Sequence, residues 1–177
     1  MPRTHIVIDF ETTGLFPERG DRVIEVAAVE VVDGRIGRHF QSLANPGRPV
    51  SGTITRITGI TNAMLAPAPD VASVMRSLAS FVEGAELVAH NASFDHRFLR
   101  AEFGRLDLPC PPGMTCTMRL GRRVFPHSPN HKLATLAEHA GITLPERMHR
   151  ALADATITAH LFLMMMDHPS AQGRAAA

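Results

Sequence analysis

The sequence predicts an α/β domain built on a mixed β-sheet flanked by helices. Three observations lead there. Short runs rich in valine and isoleucine near the N-terminus have strand character. Apolar residues recur at helical spacing from position 71 onward. The order is three strands, a helix, a strand and then mostly helices. Residues 5–10 form a short apolar run typical of a buried strand, broken by Thr12-Thr13-Gly14, and 17–21 read as a loop. Residues 23–32 are rich in β-branched side chains and make a second strand. Asp33-Gly34 is a two-residue hairpin signal, and 37–44 return as the third strand. Asn45-Pro46-Gly47 ends that strand, and a loop punctuated by proline and glycine is expected to run to about Pro69.

Between 71 and 82 the positions Val71, Val74, Leu78 and Phe81 recur three and four apart, which is helical. Residues 86–90 make another short strand. Ser93 is expected to cap a helix running to about Phe103, with Phe94 and Phe98 on one stripe. Residues 106–114 are a proline-rich connection, and helices follow near 117–124, 133–140 and 151–166. From His168 onward the residues are small and polar, and a disordered tail over 168–177 is expected. No internal repeat, linker or second domain is visible.

Composition narrows the function classes. The 177 residues suffice for one ordinary domain with a sizeable core, and 45% apolar with 20% charged residues is a globular balance. A net charge of +1 excludes a polycationic tail as the main grip on nucleic acid, so any such binding must come from a local site. No apolar run approaches the roughly 18 residues of a membrane span, and no signal-peptide core precedes Ile6. Cys110 and Cys116 fit no zinc or redox spacing and are too few for a disulfide scaffold, so a reduced cytoplasmic setting is expected.

The chemistry lies in a few acids. Asp9 and Glu11 stand two apart at the C-terminal end of a strand, so their carboxylates share a face. Open α/β sheets carry their ligand sites at that end. Two adjacent carboxylates repel unless a cation neutralises them, and hard oxygen ligands suit Mg²⁺ or Mn²⁺. Asp95 follows the strand Leu87-Val88-Ala89 and falls in the first turn of a helix. The helix dipole favours a carboxylate there with or without a metal. Asp154 shares a helical stripe with Ile157, Thr158 and Leu161, which turns a carboxylate toward the interior, where a charge needs a partner or a metal. His149 precedes Asp154 by five residues. On one continuous helix the two would diverge by about 140°. His149 is therefore expected in the loop before the helix, leaning over the same cleft.

Three segments, Asp9-Phe10-Glu11-Thr12-Thr13-Gly14-Leu15, His90-Asn91-Ala92-Ser93-Phe94-Asp95 and His149-Arg150-Ala151-Leu152-Ala153-Asp154-Ala155, resemble the three exonuclease motifs of the DEDD superfamily, histidine subgroup. The chain is similar to the proofreading (epsilon) subunits of bacterial DNA polymerase III and their stand-alone relatives, from about Thr4 to Leu163. Each motif alone is weak, but three in order, with histidine five before the last aspartate, are highly specific. The resemblance implies a ribonuclease H-like fold, an exonuclease domain over 1–167 and two divalent cations. It implies that Asp9 bridges both ions, that Glu11 and Asp154 hold the water-activating ion, that Asp95 serves the second, and that His149 is the general base. Thr12, by its backbone, and Leu15, by its side chain, match the parts that hold the 3′-terminal nucleotide, and Asn91 matches a residue that steadies the site. Thr58-Gly59-Ile60 departs from the family's frequent His-Gly-Ile, which touches a loop contact rather than the chemistry.

The function expected is hydrolysis of single-stranded nucleic acid from its 3′ end, DNA favoured, with release of nucleoside 5′-monophosphates, as in DNA repair. The alternatives are a proofreading subunit of a replicative polymerase and a catalytically silent nucleic-acid-binding module. The silent reading conflicts with the intact acids and histidine. Residues 167–177 lack apolar anchors, so no stable polymerase complex is expected.

Overall fold

A computed structural model describes residues 4–145 and 148–168 of the chain. The expected disordered tail therefore lies, beyond His168, outside the described residues. The centre of the structure is a five-stranded sheet of order β3-β2-β1-β4-β5. Strands β1 (Thr4–Thr12), β2 (Val23–Val32) and β3 (Arg35–Leu43) form an antiparallel meander. Strands β4 (Glu86–Ala89) and β5 (Thr115–Cys116) add in parallel beyond β1. The sheet is thus mixed, as expected.

Alternation along β1 divides the core between two faces. Ile6, Ile8 and Phe10 pack toward α3 (Val71–Val82) and α4 (Ala92–Gly104), where Val74, Leu78, Phe98 and Phe103 are buried. Each fully buried phenylalanine contributes roughly 1.5–3 kcal/mol of transfer free energy. Val7, together with Ala27 and Val29 of β2, packs on the opposite face against Ala151, Ala155, Ala159 and Phe162 of α7 (Ala151–Asp167). Alanine at three of those α7 positions lets the helix approach the sheet closely. Helices α5 (Thr117–Val124) and α6 (Leu133–His139) close the outer side of α7 through Val124, Leu136, Leu161 and Met165. Among the described residues no helix is long and apolar enough to cross a membrane.

Five sequence expectations need correction. The segment expected to be loop up to Pro69 contains α1 (Gly52–Thr58) and α2 (Asn62–Leu65). Both are set by caps rather than by an apolar period: the Ser51 and Thr61 side chains accept from Ile54 and Met64 N–H, and Gly59 closes α1 with φ 73°. Within the 17–21 loop, Pro17–Arg19 is a single 3-10 turn. The cap of α4 is Asn91, in the left-handed conformation, and not Ser93. Strand β5 was hidden because two residues carry no periodicity; the parallel pairing of Val88 with Thr115 and Ala89 with Cys116 creates it. The first strand also runs further than its apolar stretch, to Thr12, because β2 pairs with it as far as Thr12, opposite Val23.

Candidate active site

Asp9 and Glu11 occupy the last turnless stretch of β1, on the face that carries Val7 and looks toward α7. The register with β2 shifts between Glu11, opposite Glu25, and Thr12, opposite Val23. A bulge at that point re-aims the strand end. Beyond it the chain turns tightly. The Thr12 hydroxyl donates to the Gly14 carbonyl at 2.6 Å. The Asp21 carboxylate accepts from the Thr13 hydroxyl at 2.9 Å, from Phe16 N–H at 3.0 Å and from Arg48 at 2.9 Å. A side chain on Gly14 would come within 2.4 Å of that carboxylate, so the carboxylate or the turn would have to shift to admit one. The turn leaves Leu15 61% exposed at the mouth of a cleft.

The cleft has a volume of about 560 Å³ and is lined by every residue the sequence singled out: Asp9, Glu11, Thr12, Leu15, Asn91, Asp95, His149 and Asp154. Asp95 arrives from the far face of the sheet. It is only 3% exposed, and its Oδ1 accepts from Phe10 N–H at 3.2 Å, which ties the first turn of α4 to β1. Asp154, 6% exposed, sits in the first turn of α7. His149 lies in the loop before α7, as expected, with φ 61° and an exposed side chain. Its N–H donates to Asp154 Oδ2 at 3.2 Å. Side-chain ligand atoms of Glu11, His149 and Asp154 all lie within 4.8 Å of one another.

The electrostatics are those of closely spaced, largely buried acids. Burial, then the Asp95, Glu11 and Asp154 carboxylates, holds the Asp9 carboxyl well above its ordinary range. Glu11 is pushed from 4.5 to about 8 by burial, then by Asp154 and Glu25, against a lowering by Arg150. Burial also raises Asp95, opposed by the Phe10 N–H, and raises Asp154, opposed by His149. Four carboxyls driven toward their neutral forms in one cleft are a set that a divalent cation would ionise. Asp154 Oδ1 is buried and has no hydrogen-bond partner among the described residues. A buried carboxylate oxygen left in that state is costly, and a cation would satisfy it. The oxygen donors therefore fit a hard divalent ion.

Sequence reasoning missed part of the lining. Thr53, Ile54, Ile57 and Thr58 of α1 form one wall, and Ile57 is 49% exposed there. Thr58 is turned inward: its hydroxyl donates to the Ile54 carbonyl and accepts from Ile60 N–H, both at 3.0 Å. The flanking Ser51 and Gly59 were the only signal for this helix. His90 and Leu133 also line the cleft. His90 Nε2 donates to the His131 carbonyl at 3.0 Å and Nδ1 meets the Thr117 hydroxyl at 3.0 Å. Burial lowers this histidine to about 4, so it stays neutral and stitches β4 to the loop before α6.

The family model described as Exonuclease matches residues 6–162. The chain belongs to the exonuclease family. Its three motifs resemble those of the DEDD histidine subgroup, and exonucleases of this family depend on divalent metals. A DNA polymerase III subunit epsilon-like protein of Rhodobacter capsulatus is 43% identical over 173 residues, which is 96% of this chain but 25% of that protein. DNA polymerase III PolC-type of Bacillus subtilis is 42% identical over 173 residues, again 96% of this chain and 12% of the larger one. The chain thus spans a quarter or less of these two curated relatives. Among solved structures, Exonuclease X in complex with 5′ overhanging duplex DNA is 35% identical, with a TM-score of 0.72 over 92% of this chain and 91% of that one. The nuclease domain of 3′hExo, a DEDDh family member bound to rAMP, has a TM-score of 0.81 over 96% of this chain and 94% of its own. At 22% identity it supports the exonuclease fold alone.

Proposed function

We propose that residues 1–167 act as a 3′→5′ exonuclease domain that hydrolyses phosphodiester bonds at the 3′ end of single-stranded nucleic acid, DNA favoured, and releases nucleoside 5′-monophosphates. The observation that carries this reading is the convergence of Glu11, His149 and Asp154 within 4.8 Å, in a cleft that Asp9 and Asp95 also line and whose mouth is flanked by exposed apolar side chains.

Asp9, Glu11, Asp95 and Asp154 would hold two divalent cations, Mg²⁺ or Mn²⁺. When bound, such ions neutralise the acid cluster and polarise the phosphodiester. The remaining work belongs to the protein's own groups. His149 accepts the proton of the attacking water, whose oxygen bonds to phosphorus as the bond to the 3′-oxygen of the preceding nucleotide breaks. Leu15 packs on the terminal base, while Thr12 and Asn91 support the strand end from the floor of the cleft. On this reading the domain works in the cytoplasm.

A free end must enter beside Leu15, and freeing a paired end costs a few kcal/mol per base. Linear single strands should therefore be digested faster than blunt duplex. The test is purified protein on end-labelled linear and closed circular single strands, with Mg²⁺ or Mn²⁺ and with excess chelator. Digestion should need a 3′ end and vanish in chelator. Equal cutting of circles would mean an endonuclease, and full activity in chelator would remove the metal mechanism.

A second reading, proofreading beside a polymerase, is favoured by the names of the R. capsulatus and B. subtilis relatives. It predicts a complex with a polymerase subunit that survives gel filtration.

A further inference from the structure

Beneath the site lies a carboxylate that the proposed mechanism does not use. Glu25, on β2 directly opposite Glu11, is wholly buried. A charge in that position needs several partners. It has Arg150, whose Nη2 donates to Oε1 at 2.8 Å and whose Nε donates to Oε2 at 3.1 Å. Ala151 N–H donates to Oε2 at 3.0 Å, and Gln41 donates to Oε1 at 3.1 Å. Arg150 and Ala151 are the two residues that follow His149. One carboxylate on the central sheet therefore grips the chain by both a side chain and a backbone amide, immediately after the exposed histidine.

That grip bears on His149 itself. Its φ of 61° lies in the left-handed region, which a residue with a side chain keeps only when its surroundings hold it. Among the described residues, the imidazole makes no hydrogen bond of its own, and the backbone amide reaches only Asp154. The direction of the ring over the cleft is thus set by the backbone on either side of it. We infer that Glu25, acting through its bidentate pair with Arg150, is a positioning residue that holds His149 over the cleft. The inference rests on His149 serving as the base. Arg–carboxylate forks fix direction as well as distance, which suits this task better than a single hydrogen bond.

Two other roles would leave the same contacts. Glu25 could merely anchor α7 to β2, or it could act on Glu11 by repulsion. A double-mutant cycle separates them. The turnover and KM of Glu25→Gln, His149→Ala and the double variant are measured on an end-labelled single strand with Mn²⁺, alongside melting temperature and Mn²⁺ binding. Glu25→Gln should lower kcat by about tenfold or more with KM and Mn²⁺ binding near wild type, and should add less than about twofold once His149 is gone. Arg150→Ala should behave in the same way, and Arg150→Lys should restore little because it lacks the fork. If the buried variant does not fold, the cycle with the half-exposed Arg150 decides the matter. Full multiplication of the two losses, or wild-type turnover in Glu25→Gln while His149→Ala is impaired, would overturn the positioning role alone. Wild-type turnover in His149→Ala would overturn the base assignment together with it.

Discussion

His149 and Asp9 occupy the two extremes of the site, one exposed on a loop and the other among four other carboxylates. Their replacements should differ accordingly. A positioned general base is worth about 10²–10⁴-fold. His149→Ala should lose turnover in that range while its affinity for Mn²⁺, read by calorimetry, holds. The proximity of its ring to Glu11 and Asp154 leaves a direct ligand role open to the same experiment, since a variant that simply loses its ions would make the histidine a ligand. Asp9→Ala should abolish turnover yet raise the stability of the metal-free protein. Burial, then the like charges of Asp95, Glu11, Asp154 and Glu25, penalise the ionised Asp9, and removing it relieves both. Unfolding in denaturant with chelator present checks the sign, and a less stable variant would contradict it.

At the scale of elements, part of the cleft wall is made by the turn after β1 and by the short helix α1. The Thr13-Gly14-Leu15 turn is locked by Asp21, itself held by Thr13, Phe16 and Arg48. Because that carboxylate is fixed on three sides, Gly14→Ala cannot be absorbed by a side-chain shift. The turn must move and Leu15 with it. KM for strand ends should rise more than kcat falls, and a variant with unchanged KM would show that Leu15 does not meet the substrate. Helix α1 depends on Ser51, whose side chain caps Ile54 N–H at 3.3 Å. Ser51→Ala should cost about 0.5–2 kcal/mol locally. The loss should appear as faster amide exchange over 52–58 with the sheet amides unchanged.

The whole molecule couples its stability to pH through the same acids. Glu11 moves from an ordinary 4.5 to about 8 on folding without metal. A carboxyl raised on folding stabilises the native state fully below its unfolded value, and that contribution is lost as pH climbs through the folded one. The metal-free protein should therefore lose stability between about pH 4.5 and 8, the reverse of a salt-bridged carboxylate. A divalent ion binds the ionised form, so its affinity should strengthen over that window and its binding should release protons. Calorimetry in buffers of different ionisation enthalpy measures the release. No proton release at pH 7 would mean that the acids are already ionised without metal.

Much of this was legible in the linear chain because it depends on short-range geometry. The period of two places Asp9 and Glu11 on one face, the apolar stripe of α7 turns Asp154 inward, and five residues of spacing keep His149 off that helix. The motifs sufficed to assign the family and the five proposed site residues. Other features were decided only by tertiary structure. Residues 115 and 116 become a strand because β4 offers an edge, α1 becomes a cleft wall because its caps hold a sequence with no apolar period, and Asp95 reaches the site from the opposite side of the sheet. Glu25 is the clearest case. In the sequence it is one acid in a valine-rich strand, 125 residues from Arg150. Only the packing of α7 on β2 brings the two together, because the free energy of pairing a buried charge is a property of its surroundings, and those are set by the whole fold.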